Sequence, residues 1–224
     1  MLYTKFFNPA ASITTLALLV LSFMAGPAYA GMTPEVAKIQ SDWAIANYQA
    51  AGDEQEALYV DLIDRCDQLT AGKPGDASAK IWCGIVNSTY AGVAGGLSAL
   101  KYAKIARGYL EEAIKIEPTA LSGAAQTSLG TLYYKVPGWP IGFGSDKKAK
   151  KLLLSGIKTN PTGIDSNYFY ADFLFENNEL KEARKYLMQA KQAQPRQDRP
   201  LADKGRHKEI DQLMAAIDKK LDKR

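Results

Sequence analysis

The sequence predicts an all-α fold, a solenoid of paired helices ended by a C-terminal capping helix, on three observations. First, a spacing recurs. Ala106, Leu110, Ala113 and Pro118 lie four, three and five residues apart, and Ala149, Leu153, Gly156, Pro161 and Ala183, Leu187, Ala190, Pro195 repeat it. In each set the first three residues share one helical face, and the proline stops the helix soon after. Second, a partner helix precedes each of the last two sets, marked by Leu129-Gly130 with Tyr133 and by Tyr170-Ala171 with Leu174. Third, Ala149 and Ala183 are 34 residues apart, a constant stride expected of stacked helix pairs. Small residues recur because two helices must approach closely there.

The elements follow in chain order. Residues 1–30 read as a cleaved secretory signal peptide: Lys5 is their single charge, an apolar run spans Ala10 to Ala25, and Ala28-Tyr29-Ala30 offers small residues to a peptidase. Their removal leaves 31–224 as one helical domain, expected to be periplasmic or secreted, without stable membrane insertion. No other segment is apolar enough to span a bilayer. The formal charge of +4 falls to +3 without Lys5, too little to argue for nucleic acid. Within the domain, degenerate repeats are expected over 33–118, clearer repeats over 119–195, and a capping helix over 200–222.

In the degenerate part, Tyr48 belongs to a first helix, Gly52-Asp53 to a turn, and Ala57 to a second helix. Trp82-Cys83-Gly84 opens another first helix, which must cross "AGVAGGLSAL" before the helix that ends at Pro118. The two cysteines, Cys66 and Cys83, flank the turn signal Ala71-Gly72-Lys73-Pro74-Gly75-Asp76. Two helices folded back about that turn bring them level. A disulfide is expected, worth about 3 kcal/mol through the closed loop, with two buried thiols as the alternative. About nine helices result. In the last, Ile210, Leu213, Met214 and Ile217 form the inward stripe.

The stretch "YYKVPGWPIGFGSDKKA" lengthens one repeat. Gly130 to Ala149 is 19 residues, where Ala171 to Ala183 is 12. Pro137 and Pro140 bar helix there, and Ser145 or Asp146 caps the next helix. Trp139, Ile141 and Phe143 are too apolar to be left in water. They either plug a packing gap or wall a ligand or docking site.

The segment "IDSNYFYADFLFENNELKEARKYLMQAKQAQP", residues 164–195, resembles a tetratricopeptide repeat. Asn167 stands where that family usually has tryptophan, and Asn178 where it has the turn glycine. The resemblance implies an α-solenoid that binds other proteins. It also implies an inner groove, onto which Tyr168, Asp172 and Phe175 fall, with Thr131, Tyr134 and Lys135 one repeat earlier. Tyrosines suit recognition, and they also cover half-buried surface without binding anything. Tyr168 and Asp172 argue against clamping a peptide carboxylate. The insertion "GWPIGFGSDKKA" and the closing "RPLADKGRHKEIDQLM" are similar to the T-component family of TRAP-type solute transporters. That similarity implies a periplasmic solute-binding protein as partner and a pocket or pore for a small apolar ligand. Members often carry a lipid anchor, and no cysteine follows Ala30 directly here.

Catalytic chemistry is not expected. His207 is the only histidine and sits among Lys204, Arg206 and Lys208 on a charged, solvated helix. Asp61, Asp64 and Asp67 mark an exposed helical face rather than a calcium loop. Gly95-Gly96 lacks the lysine of a phosphate loop. Lys147, Lys148, Lys150 and Lys151 form a solvated face or a patch for an acidic partner. No cofactor or metal is implied. The expected function is a non-catalytic adaptor for another exported protein. The alternative is a small-ligand module whose Trp139 loop lids an apolar pocket.

Overall fold

Helix starts follow local chemistry. Thr33 Oγ1 accepts the Val36 N–H, with Pro34 in the first turn. Asp76 accepts from the Ala79 N–H at 3.0 Å, and Ser145 Oγ accepts from Lys148. Such caps satisfy amides that have no intrahelical acceptor. The computed structural model describes residues 32–223, so the leader expected over 1–30 lies outside the described residues. Among the described residues are nine helices: α1 Pro34–Tyr48, α2 Gly52–Gly72, α3 Ala77–Ala94, α4 Gly96–Ile116, α5 Ala120–Lys135, α6 Asp146–Thr159, α7 Ile164–Glu176, α8 Leu180–Lys191 and α9 Pro200–Leu221.

The chain is an all-α helical-repeat solenoid in which consecutive helices pack against one another. The small-residue faces are its joints. Ala106, Leu110, Ala113, Ala149, Leu153, Ala183, Leu187 and Ala190 are all buried. Gly130 of α5 is so close to α6 that an added Cβ would lie 2.8 Å from Leu153 Cγ. Gly84 of α3 stands in the same relation to Leu110 of α4, at 2.6 Å. The first repeats are therefore degenerate in sequence and regular in packing. Between α3 and α4, "AGVAGGLSAL" forms no long crossing. Gly95 and Gly96 take φ of 62° and 53°, which reverses the chain in a single step.

Two asparagines serve the backbone of α7 and the turn after it. Asn167 is buried and donates to the Pro161 and Gly163 carbonyls at 2.9 and 2.8 Å. Asn178 adopts the left-handed conformation at φ 61°.

Two apolar clusters result. The larger runs through α3–α9, from Ala77 to Ile217. The second holds Trp43, Tyr59, Cys66, Trp82, Cys83 and Val86 from α1–α3, together with Ala202 of α9. Ala202 exposes a difference from the expected cap. Beyond covering the final repeat, α9 returns to α1. Gly205 packs so tightly on the Tyr48 ring that any Cβ there would overlap it. The odd-numbered helices α1, α3, α5, α7 and α9 contact in succession, and the last meets the first. The solenoid is a closed array.

The turn at 73–76 does bring the cysteines level. Cys66 and Cys83 are buried and lie 2.5 Å apart. Contact with Cys66, and then burial, push the Cys83 thiol above its usual range.

Candidate functional site

Closure leaves a cavity of about 1270 Å³ bordered by α1, α3, α4, α5, α7 and α9 and the loops between them. Trp43, Trp82, Ile85, Leu100, Leu132 and Phe169 supply apolar wall. Leu97 and Ile141, both exposed, form part of its rim. At the start of α5, Leu121 and Ser122 also border it, in left-handed backbone at φ 46° and 56°. Non-glycine residues rarely hold that conformation unless their surroundings impose it.

Four of the eight predicted binding residues meet in this cavity: Thr131 and Lys135 from α5, Tyr168 and Asp172 from α7. Tyr134 sits behind them and donates its hydroxyl to Asp172 at 2.7 Å. Burial, then the Asp172 charge, push that phenol well above its usual range, so it stays a donor. Lys135 pairs with Asp172 at 2.8 Å and Glu176 at 3.1 Å. The negative charge expected on this face is thus neutralised from within.

The remaining three predicted residues do not enter the cavity. Phe175 lies beneath the Lys220 ammonium, 4.0 Å from its ring centre. Phe143 meets Tyr133 edge-on at 5.6 Å, with the Arg107 guanidinium 4.5 Å over its ring. Trp139 is 90% exposed and Ile141 71% exposed. The expectation that all three loop side chains avoid water is corrected, because the insertion spends its hydrogen bonds on its own closure. Gly144 N–H donates to the Pro137 carbonyl at 2.9 Å and Ser145 N–H to the Tyr133 carbonyl at 2.7 Å. This tight loop tucks Phe143 inward and carries Trp139 outward.

The residues missed from sequence are the arginines. Arg196, Arg199 and Arg206 border the cavity with Asp165 and Glu209. Arg196 Nη1 donates to Asp165 at 2.6 Å, and its backbone N–H and Nε donate to Asp203 at 2.7 Å each. Arg206 Nε donates to Asp165 at 2.9 Å, its Nη1 bonds Glu209, and its guanidinium lies 4.4 Å over both Tyr168 and Phe169. Arg206 is only 7% exposed, which corrects the solvated face expected around His207. Burial alone would raise the Asp165 carboxyl, but Arg206, Arg196 and Arg199 hold it well below the usual range. Glu209, hydrogen-bonded by Tyr48, is instead pushed up by burial.

A signal for these residues was present. The inward stripe of Ile217 and Ile210, extended back along the helix by the same spacing, lands on Arg206, Asp203 and Arg199. Charge on an apolar stripe marks a buried network. Asp61, Asp64 and Asp67 lie exposed on α2, as expected, and Lys147, Lys148, Lys150 and Lys151 are exposed on α6. Among the described residues no helix is long and apolar enough to cross a membrane. Comparison with protein-family models and with curated proteins finds no match.

Proposed function

We propose that the protein is a non-catalytic, exported binding module that takes a small, largely apolar molecule into the cavity of its closed helical array. The observation that supports this reading most directly is the cavity itself, about 1270 Å³, together with the return of α9 onto α1. An open groove would favour an extended peptide. A walled cavity favours a compact ligand, and this one exceeds the roughly 300–1,000 Å³ of common ligand sites. The resemblance to the T-component family agrees with this and suggests delivery to or from a periplasmic solute-binding protein. The test is titration of the purified protein with a fluorescent apolar dye. Saturable binding, competed by medium-chain aliphatic molecules, is expected; absence of saturable binding overturns the reading.

Docking of a partner protein is a second reading, favoured by the exposed Trp139 and Ile141. Large apolar side chains held out on a rigid loop suit interface anchors. Trp139→Ala is expected to abolish partner capture from the exported fraction while dye binding and Tm stay unchanged. Loss of Tm instead would mean that the indole serves packing. In an oxidising compartment the adjacent Cys66 and Cys83 are proposed to form a disulfide. Unfolding without reductant should expose no free thiol, and a count of two overturns the pairing.

A further inference from the structure

An apolar ligand gives no reason for a guanidinium in the wall. Of the three arginines that border the cavity, two are committed. Arg196 binds Asp165 and Asp203, and Arg206 binds Asp165 and Glu209. Arg199 differs. Among the described residues its one ion pair is with Asp165 at 3.8 Å, which already accepts from Arg196 at 2.6 Å and Arg206 at 2.9 Å, and Asp203 acts on it from farther off. Its guanidinium lies 5.1 Å over the Trp82 ring. Among the described residues its Nε has no hydrogen-bond acceptor, and neither has Trp82 Nε1, although Trp82 is only 2% exposed. Both residues border the cavity. Burial lowers the Arg199 pKa, as expected of a cation whose charge is not fully answered.

Two neighbouring donors without acceptors, one of them cationic, are costly to bury. A carboxylate brought by the ligand to the open edge of the guanidinium would answer the Arg199 charge, since the side chain is still 19% exposed. The other cation in the cavity, Lys135, is already paired with Asp172 and Glu176. A guanidinium held by one long, shared ion pair suits one further negative charge, and its planar fork matches a carboxylate.

We propose that the Arg199 guanidinium receives the carboxylate of an amphipathic monocarboxylic acid whose apolar chain lies against Leu100, Leu121, Leu132 and Phe169. This assignment rests on the cavity being a ligand chamber. It names the chemical class of the ligand and the residues that select it.

Isothermal titration with dodecanoate and with dodecanol, both kept below aggregation, tests it on the whole protein. Dodecanoate is expected to bind at least about tenfold more tightly than dodecanol. In Arg199→Gln that preference should vanish through loss of dodecanoate affinity, with dodecanol affinity unchanged. Arg199→Lys should recover part of it. Equal binding of the two probes to the unmodified protein overturns the carboxylate assignment and leaves the apolar chamber standing. If neither probe binds, both readings fail. The comparison on the unmodified protein does not depend on how well either variant folds.

Discussion

In the joint between α5 and α6, Gly130 gives Leu153 the space a Cβ would occupy, and Gly156 does the same for Thr127. In the seam where α9 meets α1 and α7, Tyr48 covers Gly205 while Arg206 reaches Asp165 and Glu209. Both places use a glycine for close approach, but they stabilise differently. The joint is apolar, is repeated along the chain and is made by neighbours in sequence. The seam is ionic, occurs once, and joins Asp165 to Arg206 across 41 residues. Burial drives the first at roughly 1.5–3 kcal/mol per large side chain. Desolvation opposes the ion pairs of the second, so the seam contributes closure and geometry more than net stability. Stacking therefore builds the array, and the seam decides that it encloses a cavity.

The strongest way to break the joint is Leu153→Ala. The side chain is fully buried, and the cost should be about 4 kcal/mol, read from urea unfolding. A loss below about 1 kcal/mol would mean that α6 is not held through this contact.

Asp165→Asn attacks the seam and should cost about 3 kcal/mol, since it removes the charge that Arg196, Arg199 and Arg206 share. The same residue gives the seam a pH dependence. Its folded-state pKa lies below the unfolded value of about 3.9. The stabilisation is thus complete above about pH 4 and is lost as pH falls toward the folded value. Glu209, raised by burial, works the other way and blunts the loss. Tm should fall steeply below pH 4 in the unmodified protein and be flatter in the variant. Parallel curves would remove Asp165 from the account.

Gly205→Val separates closure from stacking. Its side chain cannot share space with Tyr48, so α9 must shift from α1 at about 1–3 kcal/mol. Helicity should persist while saturable ligand binding weakens. Unchanged binding would show that the cavity does not need the seam.

The smallest effect concerns the insertion. Phe143→Ala should lose about 1–2 kcal/mol with its ring contact to Tyr133 and its place under Arg107. A change near zero would place the Phe143 ring among the dispensable parts of the loop, with the exposed Trp139.

Much of the stacking was legible. Alanines at three- and four-residue spacing mark a face within one helix, and helical geometry alone ensures that Ala183, Leu187 and Ala190 point the same way. The Thr131, Lys135, Tyr168 and Asp172 face was legible for the same reason, once one repeat was set on the next. The direction of Trp139 was not, because the insertion lies outside the repeat and its course follows from backbone hydrogen bonds such as that from Gly144 to Pro137. Arg199 and Arg206 carried a signal in the stripe of α9, but a buried guanidinium can be told from a solvated one only by knowing what faces it.

By itself the sequence determined the helices, their stride and the small residues at which they touch, because these depend on contacts within a turn or between adjacent segments. Only the tertiary structure decided that the array closes. Closure depends on the rotation accumulated over four helix pairs, which brings α9 to α1. That meeting turned a groove into a cavity, set three arginines against its wall, and left Arg199 beside Trp82 without a full complement of acceptors.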